Sequence, residues 1–113
     1  MAMTKTREFQ ESDRYVYDQL LFKAGWATLD TDQDAWYYGN WADPVKRVLF
    51  CYAEGDCITT ECETDAEFRA EVERVVEWHR ENGRFIGIDC GLASWSQGLH
   101  DRFVELGLEG LLH

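Results

Sequence analysis

The residues of this 113-residue chain whose types could do chemistry are Cys51, Cys57, Cys62, Cys90, His79 and His100, with carboxylates alternating at Asp30, Asp32 and Asp34. Thiolates and imidazoles together make zinc sites, and structural sites place two cysteines two to four residues apart. No two cysteines here are that close, and buried free thiols are the expected outcome. Asp30-Thr31-Asp32-Gln33-Asp34 begins like a calcium loop. Ala35 then stands where that loop needs glycine, and Trp41 where it needs a bidentate glutamate, which leaves a solvated hairpin loop as the reading. Cys90 beside Asp89 supplies the inventory of a thiolate and its neighbour, with a histidine elsewhere as base. His79, however, falls on the apolar side of its helix. Ser94 and Ser96 lie outside any G-x-S-x-G elbow, and the chain has no glycine-rich phosphate cradle or dinucleotide fingerprint. The chain is therefore expected to be non-enzymatic, with no metal and no cofactor. The alternative is a small metal-binding or thiol-dependent enzyme built on Cys90, His79 and the Asp30–Asp34 loop.

The elements that must position these residues follow from periodicity. Ser12 is a helix N-cap and Gly25 a stop, predicting a first helix between them. Four short strands follow, over Trp26–Thr31, Ala35–Ala42, Val45–Ala53 and Cys57–Glu63, separated by the Asp30–Asp34 region, Asp43-Pro44 and Glu54-Gly55-Asp56. Thr64-Asp65-Ala66-Glu67 is a capping box. Phe68, Val72, Val75, Val76 and His79 then recur at three and four up to the stop at Asn82-Gly83. Phe85–Asp89 reads as a short fifth strand, Gly91–Gly98 as a loop, and Leu99–Leu106 as a last helix ended by Gly107. The order α-β-β-β-β-α-β-α gives an α+β domain: an antiparallel sheet of about four strands with helices packed on one face. Residues 1–113 are expected to form one domain, with a flexible segment over 1–11.

Charge is the chain's strongest compositional feature. The formal net charge is −11, and ten of the 22 acidic residues lie between Asp30 and Glu67, against only Lys46 and Arg47. A folded acidic surface repels nucleic acid and anionic membranes and attracts basic partners. Trp78, Trp95 and the strand aromatics are suited to stacking on bases, but such proteins pair aromatics with a basic groove. The expected partner is a basic protein, with nucleic-acid-handling proteins among the candidates, bound through Asp30, Asp32, Asp34, Asp56, Glu61, Glu63, Glu67, Glu71, Glu77 and Glu81. Trp36, Tyr38 and Trp41 are candidates for an aromatic interface, including that of a homodimer.

Spaced carboxylates on a rigid scaffold can imitate the phosphates of a duplex. In small size, strong acidity and scarcity of lysine the chain resembles, as a class, the DNA-mimic inhibitors of restriction and CRISPR systems carried by phages and plasmids. That resemblance implies an inhibitor of a nucleic-acid-binding protein on a mobile genetic element, and it assigns no residue a role. An acidic surface serving only solubility is the competing explanation. With no apolar run long enough for a membrane span, no apolar signal core in Met1–Asp13 and cysteines expected as free thiols, the expected compartment is the cytoplasm.

Overall fold

Tyr38 to Glu61 alternates side chains between two faces, as a sheet requires, and in the structure, a computed structural model, it forms the centre of one. Residues 3–8, 27–28, 38–53, 56–81, 87–90 and 96–112 are described. They form β1 (Met3–Glu8), β2 (Ala27–Thr28), β3 (Tyr38–Asp43), β4 (Val48–Ala53), β5 (Asp56–Glu61), α1 (Asp65–Glu81) and α2 (Ser96–Glu105), followed by a 3-10 turn at Glu109–Leu111. The five strands lie in the order β1-β5-β4-β3-β2, and every pair is antiparallel. The α+β class expected from the sequence is the class observed. The predicted helix between Ser12 and Gly25 and the Asp30–Asp34 loop lie outside the described residues.

The boundaries moved for identifiable reasons. Asp43 Oδ1 accepts the backbone N–H groups of Val45 (3.0 Å) and Lys46 (3.1 Å), which takes both residues out of sheet pairing. Arg47 completes the turn with φ of 59°, so β4 starts at Val48 and not at Val45. At its other end β5 stops at Glu61: the Cys62 N–H still bonds the carbonyl of Arg47 directly opposite, at 2.9 Å, but Arg47 is in the left-handed turn conformation and the pairing goes no further. Residues 1–11, expected to be flexible, contain β1, whose six residues pair in register from Met3↔Glu61 to Glu8↔Asp56. Thr4 and Thr6 give it strand propensity and its polarity suits a sheet edge. The proposed fifth strand is reduced, among the described residues, to one parallel bridge between Ile88 and Leu112.

The cluster that packs the helices on the sheet lies on one of its faces. Ala42 and Leu49 are directly opposite each other in the β3–β4 register and face Phe68, Val72 and Val76 of α1, Phe103 of α2 and Leu106 just beyond it in one buried cluster. The i, i+4, i+8 spacing of Phe68, Val72 and Val76 is what turns a single stripe of α1 inward. α2 begins at Ser96, earlier than the Leu99 expected, and ends at Glu105, one residue before the Leu106 expected. Gly107 has φ of +76°; its N–H bonds the Val104 carbonyl and the Leu108 N–H bonds the Phe103 carbonyl, both at 3.0 Å. This paired pattern closes a helix through a left-handed residue and folds the buried Leu108 back toward Phe103.

Candidate functional site

Helix α1 carries more of the described acidic residues than any other element. It starts as the sequence prescribes: the Glu67 N–H donates to Thr64 Oγ1 at 3.1 Å. The Glu67 carboxylate reaches one residue further back than a standard capping box and accepts the N–H of Glu63, also at 3.1 Å. Beyond this cap the helix holds six carboxylates, Asp65, Glu67, Glu71, Glu73, Glu77 and Glu81, against three arginines, Arg69, Arg74 and Arg80.

The arginines divide these carboxylates into two kinds. Glu73 is paired with Arg69 at 2.8 Å, and Glu71 accepts both Nε (3.0 Å) and Nη2 (2.9 Å) of Arg74. Asp65 is held by two arginines from elsewhere in the fold, Arg102 Nη2 at 2.6 Å and Arg47 Nη1 at 3.3 Å. The Arg102 hydrogen bond, then the Arg47 one, holds the Asp65 carboxyl below the usual carboxylate range. Arg102 also donates Nε to the Pro44 carbonyl and Nη1 to Glu105, tying α2 to the β3–β4 turn and to the start of α1. Glu77 and Glu81 are exposed and make no ion pair among the described residues.

The expected partner-binding residues therefore do not form one stripe. Asp30, Asp32 and Asp34 lie outside the described residues. Asp56 opens β5, while Glu61 closes it with Lys5 Nζ 3.9 Å away. Glu63 precedes α1. Glu67 and Glu71 share one flank of the helix, and Glu77 sits about 120° further round from Glu71, with Glu81 one turn beyond it. Of the aromatic candidates Trp36 is outside the described residues and only the backbone of Tyr38 is described. Trp41, proposed as an interface residue, is only 8% exposed and belongs to the interior. It lies opposite Phe50, on the sheet face away from Ala42 and Leu49.

A groove of about 330 Å³ runs between α1 and the β4–β5 pair. Its floor is Leu49, Ile58 and Thr60, which share a sheet face through the pairs Leu49↔Thr60 and Cys51↔Ile58. Val75 and Trp78 form the helix wall, with Glu71 and Arg74 at its lip. The sequence signal for this wall was present in Glu71, Arg74 and Trp78, spaced i, i+3, i+7 along one flank, with Trp78 49% exposed.

Among the described side chains, the thiol and imidazole candidates are not brought into reactive positions. Burial, then the Asp89 charge, pushes the Cys90 thiol up to about 11, the reverse of what an activated nucleophile needs. Cys62 is buried and its thiol is likewise raised, by burial and then by Glu71 and Glu67. His79 is 2% exposed, packed edge-on against Trp78 with ring centres 4.9 Å apart, while His100 is exposed beside Asp101. Among the described residues no three His, Cys, Asp or Glu side chains converge as metal ligands. Also among the described residues, no helix is long and apolar enough to cross a membrane. Compared with known protein families, curated proteins and solved structures, the chain matches none.

Proposed function

We propose that this chain is a non-enzymatic acidic binding protein that docks on a basic surface of another protein through the outer side of α1. The observation that carries this reading is the placement of Glu77 and Glu81. They are four residues apart, so their like charges face each other, and Glu81 is the last residue of the helix. The helix dipole makes that end partially negative and favours cations there. Two carboxylates at that end, without an ion pair among the described residues, therefore work against the helix that carries them, whereas the solubility of a chain at −11 does not depend on them. A partner's lysines or arginines would relieve both repulsions.

The finer reading, imitation of duplex DNA toward a nucleic-acid-binding protein, draws support from acidity and size. Charge density limits what α1 contributes to it. Six carboxylates less three arginines leave three net charges. Over a helix of roughly 26 Å that is about one per 8–9 Å, against one per ~1.7 Å of duplex axis. A duplex-like array needs further carboxylates beside those of α1, and among the expected partner-binding residues Asp30, Asp32, Asp34, Asp56, Glu61 and Glu63 are the ones outside that helix.

The test is a titration of isotope-labelled protein with hexalysine, followed by amide chemical shifts. The expected result is a set of shifts concentrated on the last two turns of α1 that fades between 50 mM and 500 mM salt. Shifts spread evenly over all exposed acidic residues would instead identify a merely solubilising surface.

A further inference from the structure

The groove beside α1 has no role in the electrostatic reading, yet its composition is that of a place where side chains bind. Leu49, Ile58 and Val75 give it an apolar interior, and the half-exposed indole of Trp78 stands at its rim. Its volume of about 330 Å³ is roughly twice that of a cavity of ~150 Å³ that accepts benzene, which is room for two apolar side chains. The rim is chemically selective. Glu71 is already held by Arg74, and the indole of Trp78, seven residues on and on the same flank, attracts a cation through its ring face.

We infer that the groove is the anchor site for a cationic amphipathic segment of the basic partner, which inserts two apolar side chains between α1 and the β4–β5 pair while its flanking lysines or arginines lie at the rim beside Trp78, in the field of the acidic chain. This rests on the proposed binding of a basic protein and specifies how that protein is held. Charge complementarity chooses this occupant: the groove opens on a chain of net charge −11, which disfavours an acidic segment. A second copy of this chain, carrying the same charge, is disfavoured on the same ground. The division of labour is the usual one for interfaces, in which buried apolar anchors set the dissociation rate and rim charges steer encounter.

Two synthetic peptides of identical charge distinguish the alternatives: a lysine-rich 14-mer with two leucines spaced i, i+4, and the same peptide with serines in their place. Affinity is measured by tryptophan fluorescence and by amide shifts at 50 mM and 500 mM salt. Partial burial of two leucines predicts at least tenfold tighter binding of the leucine peptide to the native protein, with shifts at Ile58, Thr60, Val75 and Trp78. Thr60→Phe fills the groove with a good strand former, and Trp78→Ala removes a half-exposed wall together with its edge contact to His79. In both variants the ratio is expected to fall to about twofold, with the salt-dependent component retained. Equal affinity of the two peptides for the native protein, with salt sensitivity intact, overturns the groove assignment and leaves the electrostatic reading standing. A tenfold ratio that survives in Trp78→Ala also overturns it. Absence of salt-dependent binding of either peptide overturns the electrostatic reading and the groove assignment with it. A sedimentation result showing a dimer, with groove amides that shift on dilution and not with peptide, overturns the choice of occupant and assigns the groove to a second copy.

Discussion

Replacing Glu81 by lysine separates a stability effect from a binding effect. Glu81 ends α1, four residues after Glu77, and neither makes an ion pair among the described residues. Three contributions act in the same direction. Removing a like-charge i, i+4 contact relieves ~0.2–0.5 kcal/mol, and the new pair between Glu77 and the introduced lysine, with the glutamate on the N-terminal side, adds a similar amount. Exchanging a negative for a positive charge at the helix C-terminus contributes ~0.3–1 kcal/mol at low ionic strength. Both side chains are exposed, so solvent screening holds the total near the low end, at about 1 kcal/mol. For a chain of this length that is a rise in melting temperature of roughly 4 °C. Thermal unfolding at 20 mM and 500 mM salt measures it, with the gain expected to shrink at high salt. The same variant should bind hexalysine several-fold more weakly. Glu81→Lys that is destabilised, or stabilised with undiminished binding, refutes the argument that these carboxylates are kept for a partner at a cost to the helix.

Gly107→Ala should destabilise the fold by about 1–2 kcal/mol, because a Cβ disfavours the left-handed backbone at φ of +76°. That Cβ would lie 2.8 Å from Arg69 Nη1, and the guanidinium would have to move. Gly98→Ala, inside α2 with nothing within 4 Å, should stabilise by about 0.8–1 kcal/mol; urea unfolding of the pair checks the opposite signs. Asp65 has a depressed folded-state pKa, so its contribution is complete above the ordinary carboxylate range and is lost as pH falls through the lower folded value. Native protein and Asp65→Asn should accordingly differ in melting temperature at pH 7 and converge as the pH falls below the ordinary carboxylate range and through the lowered Asp65 value. A gap that stays constant over that range would assign the effect to helix capping or packing, and not to the arginine pairs.

What could be read from sequence was what is local. The Thr64 cap, the Phe68–Val72–Val76 stripe and the Gly107 stop are signals spread over a few residues, and each forms the element it encodes. The turn at Pro44 was also legible, but its extent was not. It depends on Asp43 folding back on two amides and on Arg47 adopting a conformation usually left to glycine. Strand β1 carries no apolar face and is defined by pairing with residues more than forty positions away, so nothing in its own pattern announces it. The candidate site divides in the same way. The Arg69–Glu73 and Glu71–Arg74 pairs are i, i+4 and i, i+3 neighbours on one helix and can be counted from the sequence. The Arg102–Asp65 bond joins residues 37 apart and exists only because α2 packs beside the start of α1. Trp41 was misplaced because alternation assigns a strand residue to a face without saying whether that face is covered.

The net charge of −11 overstates the surface open to a partner, because ion pairing is distributed unevenly. Eight of the eleven basic residues are arginines, whose planar, multiply donating heads suit them to fixed carboxylate pairs. Arg47, Arg69, Arg74 and Arg102 are used this way, and together they fasten Asp65, Glu71, Glu73 and Glu105. These pairs concentrate on the first half of α1 and its contact with α2, where they orient the helix on the sheet. The second half is left with Glu77 and Glu81 on its outer side and Trp78 over the groove. One helix thus carries structural carboxylates at its start and open ones at its end. A uniformly solubilising surface gives no reason for this polarity, whereas the proposed docking site does.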